Sequence, residues 1–174
     1  MAAEEMDFTV KRLTPEHAPD WLRLRIEGVQ KFPEGFLLTV EEASSITRER
    51  AEELLAPGET RGLFHQGTLI GFCGCFRMKL QRISHRAEVG PFYVTPGYHG
   101  TKDASFLMSA IIEEARSDGI AQLELFVAAE NARAIRFYEK SGFQKVGTHP
   151  DSVRVDGVSY DDHFYCLRLK PTAS

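Results

Sequence analysis

The first segment with a clear period is FTVKRL (8–13), where Phe8 and Val10 alternate with Thr9 and Lys11, as on a half-buried strand. After Thr14-Pro15 the apolar spacing lengthens, and Trp21, Leu22, Leu24 and Ile26 predict a helix. A second helix is expected to begin after Thr39, with Glu41 and Glu42 in its first turn, and to run to about Leu55, where Pro57-Gly58 stops it. Strands at 63–65 and 68–77, joined by Gln66-Gly67, read as a hairpin, and 86–94 as the next strand.

From there the order becomes helix (103–117), strand (123–127), helix (131–141) and strand (144–154). In the first of these helices Ala104, Leu107 or Met108, Ile111 and Ala115 recur at three-to-four spacing, and Gly119 can cap its end. A strand, a crossover helix and a second strand form a βαβ unit, so the strands at 86–94 and 123–127 are predicted to be parallel. Asp156-Gly157, flanked by alternating residues, signals a terminal hairpin. The fold class is therefore α/β (α+β): a mixed, strongly twisted sheet with helices on its faces, read as a single domain over 1–174.

Composition narrows the function classes. The 174 residues are 43% hydrophobic and 26% charged, as in a globular protein, and no apolar run reaches the roughly 20 residues of a membrane span. No membrane partner is expected. A formal net charge of −4 argues against a broad nucleic-acid surface, which needs clustered Lys and Arg. The acidic start MAAEEMD carries no targeting pattern, which makes the cytoplasm the expected location. Cys73 and Cys75 lack the second pair of ligands that a structural zinc site requires, so no metal is expected and the two read as small residues on one strand face.

Chemistry enters at VTPGYHGTKDA (94–104), a strand end, a tight loop and a helix start. The N–H groups and positive dipole end of such a helix make a natural anion site. Just upstream, Gly90-Pro91 interrupts its strand: Gly marks a bulge or close approach, and Pro supplies no ladder donor. Backbone groups of Phe92, Tyr93 and Val94 are thereby expected to be free for a partner other than a strand, unless this is simply a kinked edge strand.

That loop, followed some thirty residues later by ENARAIRFYEKSGF (130–143), resembles the GNAT superfamily of N-acetyltransferases, which use acetyl-coenzyme A. The resemblance extends to the acidic hairpin VDGVSYDD (155–162). It implies splayed central parallel strands, with the pantetheine arm in the gap between them and the pyrophosphate at the loop before Ala104. Cofactor-binding positions under this reading are Phe92, Tyr93, Val94, His99, Gly100, Thr101, Lys102, Asp103, Ala104, Asn131 and Ala134. The loop departs from the family's glycine-rich pattern at Lys102 and replaces its usual basic residue or Gln by His99. Lys102 can offer an ammonium to the pyrophosphate; Asp103 would repel it if turned inward, or else simply favours the helix dipole.

Tyr138 matches the tyrosine that often serves as general acid in the family. From the residues alone it reads as a core aromatic, on one helical face with Ala134, Phe137 and Ser141 behind the N-cap Asn131. A phenol with an ordinary pKa near 10 is protonated at neutral pH and can donate to a leaving thiolate. The attacking amine must lose a proton, and Glu88 is the first candidate base; its alternative is a carboxylate on a solvated strand face. A backbone N–H near Phe92, Tyr93 or Val94 is the candidate donor to the oxyanion. Asp161 and Asp162 are further acidic candidates for holding an ammonium, between which the sequence does not choose, and His85 and His163 rank below Glu88.

The expected activity is transfer of an acetyl group from acetyl-CoA to a primary amine, either a small molecule or a peptide or protein N-terminus. The segment 25–39, with Phe32, Phe36 and Leu37, would be a partly apolar acceptor-side cover. A non-catalytic acyl-CoA sensor and a partner-binding scaffold on the same fold are the alternatives, and a homodimer is left open.

Overall fold

The computed structural model describes residues 7–97 and 102–171. A 7-stranded sheet runs in the order β1-β2-β3-β4-β5-β7-β6. Its strands are β1 Phe8–Arg12, β2 Thr60–His65, β3 Thr68–Arg77, β4 Arg86–Val94, β5 Gln122–Ala128, β6 Gln144–Val155 and β7 Val158–Arg168. All neighbouring strands are antiparallel except β4 and β5, the parallel pair that the crossover predicted. The β2–β3 hairpin turns through Gln66 and Gly67, both at positive φ (48° and 81°), as a two-residue turn matched to strand twist requires.

Helices cover both faces. On one lie α1 Ala18–Lys31, α2 Val40–Ser44 and α3 Arg48–Leu55; on the other lie α4 Lys102–Ser117 and α5 Ala132–Lys140. The first layer buries Leu13, Trp21, Leu24 and Leu55 against Phe64, Phe72 and Tyr93 of the sheet. The second buries Leu107, Met108 and Ile111 against Leu63, Ile70, Leu123 and Tyr165. Neighbouring residues of β3 face opposite layers, and Cys73 and Cys75 both join the second core.

The helix expected from Thr39 to Leu55 is broken. Thr39 and Glu42 form a capping box that starts α2, but Ser45 turns its hydroxyl back onto the Glu42 carbonyl, and extended Thr47 caps a new helix through the Arg50 N–H. The hydroxyls of Ser45 and Thr47 take backbone groups for themselves, and that local bonding defeats the continuous apolar period. Across the sheet, buried Arg61 reaches Glu114 of α4 at 2.7 Å, fixing the crossover helix against β2.

Candidate active site

β4 and β5 pair only through Arg86↔Gln122, Ala87↔Leu123 and Glu88↔Glu124, then part. Along the rest of β4 one edge has no strand beside it among the described residues. Thr95 donates its N–H to Ile70 of β3 at 2.8 Å, and Val94 lies opposite Gly71. Antiparallel alternation then points the N–H groups of Phe92 and Val94 the other way, into the gap left by β5.

The β3–β4 register shifts between Cys73 and Cys75, so Gly74 alone faces Gly90 and Pro91. Gly90 has φ +132°. This is the bulge expected at Gly90-Pro91, and it lies in the middle of the sheet, not on an edge strand. Gly74 is compelled by space: an added Cβ would sit 2.5 Å from the Gly90 carbonyl oxygen and 2.3 Å from the Phe76 ring.

A cavity of about 1440 Å³ opens around the gap. Its lining includes Phe92, Tyr93, Val94, Asp103, Ala104, Asn131, Ala134 and Tyr138. Tyr138 packs edge-on to Phe92 and Phe143, with ring centroids 6.4 and 5.9 Å away. Burial pushes its phenol well above the ordinary value, with Cys73 adding to the shift, so it stays protonated through the physiological range. Asn131 accepts the Ala134 N–H at 3.1 Å and fixes the start of α5. Glu88 is exposed but lines the same cavity at the point where the strands part.

Of the loop, His99, Gly100 and Thr101 lie outside the described residues. Lys102 is exposed, whereas Asp103 is only 2% exposed and accepts the Ala104 N–H at 2.8 Å. Asp162 is 8% exposed, lines the cavity and accepts the Ser152 hydroxyl at 2.6 Å. Asp161 instead accepts the Asp151 N–H in the hairpin, and His163 meets Thr148. Only Asp162 of these three faces the cavity.

The lining also draws on α1 and the segment after it, including Trp21, Arg25, Phe32, Phe36 and Leu37. Here the structure adds residues that sequence reasoning missed. Arg25 lies over the Trp21 ring at 5.0 Å. Glu27 accepts the Tyr93 hydroxyl at 2.6 Å and the Thr95 hydroxyl at 2.9 Å, tying α1 to the end of β4. A signal existed: Trp21, Arg25 and Gly28 fall at i, i+4 and i+7, which puts a cation on the helix's inward face.

A splayed parallel pair, a bulged strand with free N–H groups and a tyrosine at the gap converge with what comparison finds. Residues 20–143 match the Acetyltransferase (GNAT) family. The chain belongs to the GNAT family of acetyltransferases. An N-acetyltransferase of Mycobacterium tuberculosis H37Rv, itself described as uncharacterized, is 30% identical over 146 residues, covering 84% of this chain and 85% of that protein. A mycothiol acetyltransferase of Brachybacterium faecium is 29% identical, covering 75% of this chain and 38% of its own length. N-alpha-acetyltransferase RimI of M. tuberculosis is 33% identical over 92 residues, or 53% of this chain and 56% of that one. Among solved structures, a GNAT-family acetyltransferase from Streptococcus pneumoniae superposes with TM-score 0.83 at 19% identity, over 94% of this chain and all of that one. A Salmonella typhimurium protein solved with its cofactor acetyl-CoA gives TM-score 0.80 at 17% identity, covering 96% of each chain. This protein is thus a GNAT N-acetyltransferase by family and fold. Among its described residues no helix is long and apolar enough to cross a membrane.

Proposed function

We propose that this GNAT enzyme transfers the acetyl group of acetyl-CoA directly to a primary amine, with Glu88 as base and Tyr138 as acid. The observation that carries the reading is the placement of Tyr138 on the lining of the cavity around the β4–β5 gap, where burial favours its protonated form. The gap fits the coenzyme: the edge of β4 offers the Phe92 and Val94 N–H groups to an amide-bearing arm and to the thioester oxygen. Ala104 and Asn131 stand at the helix starts flanking the same space, with Ala134 one turn inside α5. Asp103 accepts its own helix's N–H, so it need not oppose a phosphate there.

The amine nitrogen attacks the thioester carbon while its proton passes to Glu88, directly or through water. The C–S bond then breaks and Tyr138 donates its proton to the sulfur, recovering one from solvent afterwards. Relatives named for mycothiol and for N-alpha acetylation support a small-molecule amine or a peptide N-terminus as acceptor. The apolar cover formed by Phe32, Phe36 and Leu37 suits either.

Calorimetric titration with acetyl-CoA, followed by an amine screen, tests the proposal. Saturable micromolar binding and acetylation that collapses in Tyr138→Phe are expected. Binding with no acetylation across a broad panel would instead identify an acyl-CoA-binding module, and no binding up to about 1 mM, a free energy near −4 kcal/mol, would leave a scaffold.

A further inference from the structure

Trp21 Nε1 and Arg25 Nε are buried donors with no hydrogen-bond partner among the described residues. Both residues line the cavity, and they touch each other through the guanidinium–indole stack. The other deeply placed arginines are neutralised: Arg61 by Glu114 at 2.7 Å and Arg86 by Glu124. Arg116 also leaves its Nε unpartnered, but its Nη1 meets Glu113 at 2.9 Å. Arg25 has no ion pair among the described residues, and burial alone lowers its pKa, leaving it charged. An unsatisfied buried donor is destabilising, and the effect is larger for a charged one. A cation on a cavity lining with no counter-charge among the described residues points to an anion brought by a ligand.

We infer that Arg25, supported by Trp21, forms a carboxylate-binding subsite, so that the amine acceptor of this enzyme also carries a carboxylate. The inference rests on the acetyltransferase reading and narrows its substrate class. The two oxygens of a carboxylate match the two Nη groups of a guanidinium, and the Trp21 ring against which Arg25 lies limits the orientations of that fork. Glu88 and Asp162, carboxylates on the strand side of the same cavity, are suited to the ammonium end of such a molecule. The remaining cavity cations, Arg133, Arg136 and Lys140, all belong to α5 and are exposed. The cavity lining thus combines one partly buried cation, unpaired among the described residues, with carboxylates that include Glu34, Glu88 and Asp162, the complement of a zwitterion.

The test compares amino acids with progressively longer amine-to-carboxylate spacers, each as free acid and as matched primary amide. Wild type is expected to favour the acid of at least one pair by about 10- to 100-fold in kcat/KM. Arg25→Gln should bring that ratio close to one through a raised KM for the acid. Trp21→Phe, which trims the ring that supports the guanidinium, should lower it several-fold. Acetyl-CoA affinity, measured by calorimetry, reports that each variant is folded. Equal or better use of every amide by a wild type that binds acetyl-CoA overturns the subsite and leaves the acetyltransferase reading standing. A preference that survives both substitutions overturns it as well. A wild type that does not bind acetyl-CoA overturns both.

Discussion

Arg86 and Glu124 grip each other at two points, Nε to Oε2 at 2.5 Å and Nη2 to Oε1 at 2.7 Å, across β4 and β5 where those strands last pair. Gln122 adds a third bond to Glu124 at 2.7 Å. The bond from Arg86 holds the Glu124 carboxyl below its usual range, against the opposing effect of burial. Glu124→Gln is therefore expected to destabilise the fold by about 1–3 kcal/mol in urea denaturation. Because the folded-state pKa is depressed, this contribution is present above the unfolded carboxyl pKa, about 4.3, and is lost as pH falls through the folded value. The gap between wild type and Glu124→Gln should accordingly narrow in acid.

Tyr138→Phe removes one oxygen from an aromatic cluster and leaves the ring contacts with Phe92 and Phe143. We expect kcat to fall about 10²- to 10⁴-fold while acetyl-CoA affinity and thermal midpoint hold. Burial raises this phenol, so wild-type kcat should show no alkaline decline from Tyr138 until above pH 10, as a pH–rate profile would reveal.

Gly74 lies against the bulge with no room for a methyl group. Gly74→Ala should cost about 1–3 kcal/mol of stability and, by displacing Gly90, weaken acetyl-CoA binding. Paired denaturation and calorimetry separate the effects, and Gly67→Ala, in a turn with open space around it, supplies a control for strain at positive φ without a clash.

Burial opposes ionisation of Glu27, but the hydroxyls of Tyr93 and Thr95, aided by Lys31, outweigh it and hold the carboxyl below its ordinary value. Glu27→Ala would leave the buried Tyr93 hydroxyl without its acceptor. A loss of about 1–3 kcal/mol is expected by chemical denaturation, with a higher KM for the acceptor because α1 loses its tie to β4.

Much of this was legible in one dimension. The bounds of β3 and β4, the parallel pairing across α4 and the N-cap at Asn131 follow from periodicity and residue type, because local chemistry and tertiary packing agree there. Tyr138 and Glu88 could be nominated from the sequence, but only the parting of β4 and β5 after Glu88 puts them on one cavity. Asp162 could not be told from Asp161, since strand parity does not say which face meets a void. Trp21 reads as part of an amphipathic helix, and Arg25 and Glu27 as the start of the acceptor-side segment 25–39, whereas α1 runs on to Lys31; their individual roles depend on long-range neighbours such as Tyr93. The break between α2 and α3 escaped a pattern that counts apolar residues and overlooks competing hydroxyls.

The sheet is in effect two smaller sheets sharing a short seam, three residue pairs long, at Arg86, Ala87 and Glu88. Beyond that seam β4 is a strand lacking one neighbour, buried in the interior of the molecule. A molecule with amide groups laid along it would serve as the absent strand, joining the two halves through hydrogen bonds that the polypeptide alone does not make. Coenzyme binding would then complete the architecture as well as supply a reactant. The amide protons of Phe92 and Val94, open to exchange in the free protein, should become slow to exchange when the gap is filled.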